Sequence, residues 1–388
     1  MGWSDQTVFW AVVFVRFLLP LFIPKFPLPA ILACFLADAV DQTVFQSFTH
    51  LSLIGYQGYD KALDIFYLCI ALLTTYRNWL SYPALQIGSL LFYLRIVGVL
   101  AFEITNWRPI MVWFPNAFEY YFIFYELLRS RWSPSQRNAR FFLVSAVIIW
   151  IGIKIPQEYW IHVAHLDLTD LLKASVMRAP LEASWNQAIA LRPFAFLWIV
   201  ASAMAVLAAL LLLVRRVAGP PQHALELTAR DLPEEIDEAR ERDQHIAEGW
   251  RLFDIRLAEK TVLVGFVTVI FADVLPGVNA ARAQLVGGTA LIVTLNTFLR
   301  LRSARAERSI ESAVMSFILL ALTNLGVVFF ADGILRRVGQ GSLNVPATLF
   351  FLLLLTLIVT LYDRWRPVFD VRFRWRAVSE GPRTDPQT

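Results

Sequence analysis

The sequence predicts an all-α, polytopic helical membrane protein of about eleven transmembrane helices, with the N-terminus outside and the C-terminus cytoplasmic. Three observations lead there. Hydrophobic residues make up 57% of the 388-residue chain, charged residues only 17%, and the mean hydropathy is +0.55. A soluble domain carries roughly a quarter charged residues. The apolar residues come in blocks of about 20, the length a helix needs to cross roughly 30 Å of hydrocarbon, and not in the short alternating segments of a barrel. Finally, the arginines gather in alternate loops, as cytoplasmic loops require.

The expected spans are 8–24, 28–48, 62–79, 84–103, 109–128, 141–160, 193–214, 261–280, 284–301, 313–331 and 345–362. The connections RSRWSPSQRNAR after the fifth span and RLRSARAER after the ninth are basic. So are Arg215 and Arg216 after the seventh and DRWRPVFDVRFRWR after the eleventh. With eleven crossings all of them fall on one side; only Lys25 marks the inner end of the first span. Pro20 and Pro24 close that span, and Pro115 lies inside the fifth. In a bilayer such breaks survive where neighbouring groups satisfy the freed backbone.

The start, MGWSDQT, lacks a basic n-region, and no small-residue cleavage site follows the first apolar run, so the first span is expected to be retained. Cys34 and Cys69 fall inside spans and read as small buried hydrophobes. Arginine far outnumbers lysine, the usage of a GC-rich bacterial genome, which points to a bacterial cytoplasmic (inner) membrane.

The chain divides into an aromatic-rich bundle with intramembrane charges (1–160), an extracytoplasmic amphipathic segment (161–192) and a seventh span (193–217). A cytoplasmic amphipathic helix (218–260), a two-hairpin scaffold (261–363) and a basic cytoplasmic tail (364–388) follow. In the fourth part Asp231, Pro233 and Glu234 form a helix start of capping-box type. Ile246, Trp250, Phe253 and Leu257 then recur at helical spacing, so that helix should run straight into the eighth span with one apolar face. The face suits the bilayer surface, the bundle, or a protein partner docking on 236–257. In the scaffold, VIFADVLPG and LIVTLN (291–296) echo VFFADGILR and LIVTLY (357–362), either a parallel repeat of two hairpins or a chance likeness between apolar runs whose spacers differ in length. Asp273 and Asp332 read as interfacial caps.

Four ionisable residues should lie at one depth on neighbouring spans: Arg16, Asp38, Arg95 and Glu119. Each would cost about 2.5–3.5 kcal/mol at the bilayer centre, so they must face one another or a wet cavity. Asp41, Gln42 and Gln46 extend the polar side of the second span, and Asn116 and Glu126 that of the fifth. Asp60, Asp64, Thr74 and Thr75 add polar positions on the third, and several tyrosines could line the same path. Two readings compete: an ion network that only selects helix partners, and a substrate or proton pathway through Arg16, Asp38, Asp41, Gln42, Arg95, Asn116 and Glu119.

Other motifs carry less. Glu158, His162 and His165 share a helix face at a spacing that can hold a transition metal, or they are interfacial histidines sensitive to pH. DKALD (60–64) is a lone D-x-x-x-D of the kind that holds Mg²⁺ and a diphosphate in membrane prenyltransferases. In VRFRWRAV the period of two suits an extended segment, with Arg372, Arg374 and Arg376 on anionic lipid head groups. Nothing points to nucleic acid. The histidines lie at or outside span ends, against a haem between spans, and no lysine sits in the middle of one. No phosphate-binding loop is present, so ATP use and bound cofactors are not expected.

The function expected is therefore a transporter or channel-like protein with a polar pathway through the N-terminal bundle, and not an enzyme. One alternative is an enzyme acting on a lipid-linked substrate through Asp60, Asp64, Glu103 and 158–170. Another is a non-catalytic subunit of a membrane assembly.

Overall fold

The structure, a computed structural model, describes residues 3–49, 56–107, 109–164, 171–180, 183, 185–229, 243–274, 282–306, 312–337 and 345–379. Among them there are helices and no strands. In chain order these are α1 (Trp3–Leu18), α2 (Pro27–Phe48), α3 (Tyr56–Asn78), α4 (Tyr82–Thr105), α5 (Ile110–Trp113), α6 (Ala117–Arg129) and α7 (Ala139–Val147). Next come α8 (Ile155–His162), α9 (Trp185–Leu191), α10 (Pro193–Ala218), α11 (Ile255–Val274), α12 (Arg282–Arg305), α13 (Ala313–Arg337) and α14 (Val345–Ser379). Among the described residues five stretches are long and apolar enough to cross a membrane: Tyr82–Phe102, Ala139–Ile161, Pro193–Leu213, Ala313–Ile334 and Thr348–Phe373. That is the composition of a membrane protein.

The chain forms two compact units, Met1–Ile54 with Pro83–Ala229, and Gly55–Tyr82 with Arg230–Thr388. In the first, α1 and α2 make a hairpin closed by a 3-10 turn at Leu19–Phe22, where Pro20 fixes the entry of the turn. Between α7 and α8 the helix widens into a π segment at Ile148–Lys154 without ending. Here α6 packs on α2 and on the π segment, and α5 on α8. Met177, Ala179 and Ala188 form a small separate core against Ile189, Phe196 and Ile199 of α9 and α10. Beyond α10 the chain crosses back as an extended strap. Gln222 N–H donates to Arg131 O at 2.9 Å, Glu226 N–H to Ser130 O at 3.0 Å, and Ala229 N–H to Lys25 O at 2.8 Å. Trp132 Nε1 donates to Pro220 O at 3.0 Å. The strap thus ties the two basic connections of this unit together.

The expected fifth span is not one helix. It is α5, a break over Phe114–Asn116, and the 13-residue α6, which rises only about 20 Å. Pro115 lacks the N–H that would continue the ladder. Gly98 of α4 makes the room: a Cβ there would meet Phe114 Cβ at 2.2 Å. Gly98→Ala should therefore push the break away from α4 at a cost of about 1–3 kcal/mol. It is checked by tryptophan-monitored thermal unfolding in detergent, where the variant should melt several degrees early.

In the second unit α3 packs on α11 and α14, so the third span belongs here and not with the N-terminal bundle. Thr74 Oγ1 donates to Ile70 O and Thr75 Oγ1 to Leu72 O, within their own helix. Helix α11 packs on α12 and α13 on α14, and the described parts of the echoing segments lie on these four helices. Each contact is stitched by a buried polar pair, Thr289 with Thr268 at 3.2 Å and Asn324 with Thr356 at 2.9 Å.

Two further expectations are corrected. The amphipathic helix does not run straight into α11. Residues 243–249 are helical, the chain bends over 250–254, and α11 restarts with Asp254 Oδ1 accepting from the Arg256 and Leu257 N–H groups at 3.0 Å. Ile246, Trp250 and Leu257 are buried in the chain itself, which leaves Phe253 exposed. Asp231, Pro233 and Glu234 lie outside the described residues. The basic tail is not extended either: α14 continues through 364–379 as helix. Arg372 Nη1 donates to Arg77 O at 2.9 Å and Trp79 O at 3.3 Å. It satisfies orphan carbonyls at the end of α3, a strong sink for a guanidinium. The side chains of Arg374 and Arg376 lie outside the described residues.

Candidate functional sites: two buried charge clusters

The first cluster lies in the N-terminal unit. Arg16 near the end of α1 reaches α2, where Asp38 and Asp41 share a face by their three-residue spacing. Its Nη2 donates to Asp38 Oδ1 at 2.5 Å and its Nη1 to Asp41 Oδ2. Arg16 and Asp41 are buried, while the Asp38 side chain keeps 28% of its surface open. Gln42 follows on the same helix, its side chain outside the described residues.

The broken span supplies the rest. A break frees backbone groups that must find partners. The freed Phe114 carbonyl accepts from Arg95 Nη1 at 3.3 Å. On the other side of Pro115, Asn116 N–H donates to Glu158 Oε1 at 3.4 Å. Arg95 and Glu158 in turn stand 3.9 Å apart as an ion pair, so one pair of opposite charges straddles the interruption and meets both of its ends. Glu158 also lies at the N-terminus of α6, where a helix favours negative charge. Asn116 Nδ2 donates to Glu119 Oε2 at 3.0 Å in the first turn of α6.

Two side chains join these parts. Cys34, one turn before Asp38, is within electrostatic reach of Glu119, Arg16 and Asp38. Tyr120 packs edge-on against Phe35, donates to Gln157 Oε1 at 3.3 Å, and carries the buried Lys154 ammonium 3.9 Å above its ring. Arg16, Asp38 and Asp41 form one linked group and Arg95, Glu158, Asn116 and Glu119 another; α2 and α6, which carry members of the first and the second, pack together, and the two groups make up the polar core of this unit. Arg95 is matched to Glu158, not to Asp38 or Glu119. The Glu158 carboxylate turns inward to the break; His162's side chain and His165 lie outside the described residues, and no metal-binding group occurs among the described ones. Lys154 and Glu158 were not legible as members of the core. The π segment, a form that tends to mark functional sites, re-aims the turn carrying them.

The second cluster sits where the sequence promised only a scaffold. Lys260 of α11 is fully buried. Its Nζ donates to Thr297 Oγ1 of α12 at 2.9 Å and to Asp363 Oδ1 of α14, and lies 5.4 Å from the Tyr362 ring centre. Thr297 and Asp363 occupy matching positions just after the two LIVTL copies, so one lysine is gripped from the same place after each copy. Around it Glu259 accepts from Tyr76 at 2.6 Å and Tyr362 at 2.9 Å, and pairs with Arg366 at 3.2 Å. Arg256 Nε donates to Asp370 at 2.8 Å, and Arg300 pairs with Asp243. A cleft with about 30 Å³ of open space, lined by Arg300, Ser316, Thr360, Asp363 and Arg364, adjoins this cluster; it is the size of one or two waters.

Compared with protein-family models, with curated proteins and with solved structures, the chain shows no match.

Proposed function

We propose that the protein is a transporter that moves a proton or small cation through its N-terminal unit, in a bacterial cytoplasmic membrane that it crosses about eleven times with its C-terminus inside. The interrupted span carries this reading. Irregular backbone at membrane depth is tolerated where it is buried in protein or lines a cavity, and half-helices meeting beside ionisable groups are how transporters build ion sites. Here the break lies between Arg95 and Glu158, one turn from Glu119, in a core that also holds Arg16, Asp38 and Asp41.

The charges favour a cation over an anion. Among the described residues of the core, Arg16 is bound by two carboxylates, Arg95 is engaged by Glu158 and a carbonyl, and Lys154 lies on an aromatic face. These cations are occupied. Glu119, which accepts from the Asn116 amide one turn from the break, and Asp38, whose side chain is part-open, are the carboxylates assigned to the cation path in this reading.

The test is flux into proteoliposomes carrying the full chain, driven by an imposed membrane potential and read with an internal pH dye and then with sodium or potassium indicators. The parent should pass one of these cations, while Asp38→Asn and Glu119→Gln should abolish the flux with unfolding temperatures unchanged within a few degrees. Flux equal to the parent in both variants would falsify the pathway and leave the cluster a purely structural network.

A further inference from the structure

The bend at 250–254 opens a groove of about 450 Å³ against the end of α12, lined by Leu252, Phe298, Leu301, Arg302, Arg305 and Ala306. The α12 wall is one helical face, since Phe298, Leu301, Arg302 and Arg305 recur at three- and four-residue steps. Its chemistry is split along the axis, apolar first and cationic at the last turn. The bend flanks it with Phe253 and Ile255, both largely exposed.

Arg302 and Arg305 differ from most of the described arginines of the unit; the exposed Arg251 and Arg337 also lack a carboxylate partner there, but neither lines this groove. Arg300 is spent on Asp243, Arg256 on Asp254 and Asp370, Arg366 on Glu259 and Asp370, Arg336 on Asp332, and Arg372 on backbone carbonyls. Among the described residues neither Arg302 nor Arg305 is paired with a carboxylate, and no acid lines the groove. Two cations one turn apart beside an apolar trough at the end of a helix complement an anionic head with a hydrocarbon tail. A free anion would use the arginines and leave the trough wet; a neutral lipid would use the trough and leave the arginines unmatched.

We infer that this groove binds one acidic phospholipid, its phosphate between Arg302 and Arg305 and an acyl chain along Phe298, Leu301 and Leu252. The site rests on the membrane character of the chain and is independent of the transport reading. Juxtamembrane arginines each add about 1 kcal/mol of attraction to an anionic lipid surface, which makes the pair worth roughly 10- to 30-fold in affinity.

The purified, detergent-solubilised chain is titrated with phosphatidylglycerol and, separately, with phosphatidylcholine of the same acyl chains, and bound lipid is counted by native mass spectrometry. The parent should hold one phosphatidylglycerol in preference to phosphatidylcholine. Arg302→Gln with Arg305→Gln should weaken it by roughly 10- to 30-fold. Leu252→Trp, which fills the trough and keeps both charges, should weaken it too, whereas Arg215→Gln with Arg216→Gln should not. Glycerol 1-phosphate in excess should leave the lipid in place. The inference is overturned if the parent binds both lipids alike, if the groove variants keep the parent's affinity, if the Arg215/Arg216 pair loses as much, or if the head group alone displaces the lipid.

Discussion

Exchanging Arg16 for glutamine is expected to destabilise the protein by about 3–5 kcal/mol, the cost of leaving buried charge without its partner. The guanidinium answers two carboxylates at once, and Asp41 is 2% exposed. Without the cation, like charges three residues apart on α2 confront each other away from water. Protonating them or rearranging α1 against α2 both draw on the same few kilocalories that hold a domain folded. Thermal unfolding of Arg16→Gln in detergent should show a clear fall in midpoint. Adding Asp38→Asn and Asp41→Asn should return most of it, because an uncharged cluster has no ion left to desolvate. If the single variant unfolds at the parent's temperature, the triad is not holding α1 to α2.

A second effect of similar size belongs to the other unit. Lys260→Met keeps the length of the side chain but strands the buried Asp363, again at about 3–5 kcal/mol. Asp363→Leu alone should cost as much by stranding the ammonium. Made together, the two changes should come close to the parent, since an apolar pair of similar volume often matches or exceeds a buried ion pair. The coupling in this double-mutant cycle is the measurement; additive losses would mean that Lys260 and Asp363 act through different neighbours. With the pathway placed in the N-terminal unit, the double variant should also retain flux.

What the sequence could disclose was depth, and what it hid was direction around the helix axis. Arg16, Asp38 and Glu119 sit too far inside apolar runs to face lipid, so cost alone predicted polar partners for them, and each has one: Arg16 with Asp38, Glu119 with Asn116. Asp41 came with Asp38 by helical spacing. Glu158 was grouped with His162 and His165 by helical spacing, and nothing in that spacing showed that the carboxylate reaches Arg95 and the break. Lys154 lies in the π segment, whose wider turn shifts the residues it carries from the faces an even helix would give them. The break at Phe114–Asn116 was half visible in Pro115, but nothing local to the sequence tells that Arg95 and Glu158 meet its two ends.

The Lys260 cluster was missed by a boundary error. Arg256, Glu259 and Lys260 looked like charges before a span, and Asp363, Arg366 and Asp370 like charges after one. In fact α11 begins at Ile255 and α14 runs to Ser379, so both sets lie on packed helical faces. Charges of both signs near span ends are as compatible with a solvated loop as with a buried network, and only the partner helix decides.

The helix α10 stands apart from all of this. One end of it packs on the Met177–Ala188 core through Ala195, Phe196 and Ile199 and the other leads into the strap, yet none of the span Pro193–Leu213 is buried. In a bilayer the exposed side chains between these ends would meet acyl chains. Bilayer thickness therefore acts on it directly: a membrane thinner than its roughly 31 Å of rise forces it to lean. Any such lean pulls on the tethers at its two ends, which makes the membrane itself a mechanical input to the N-terminal unit.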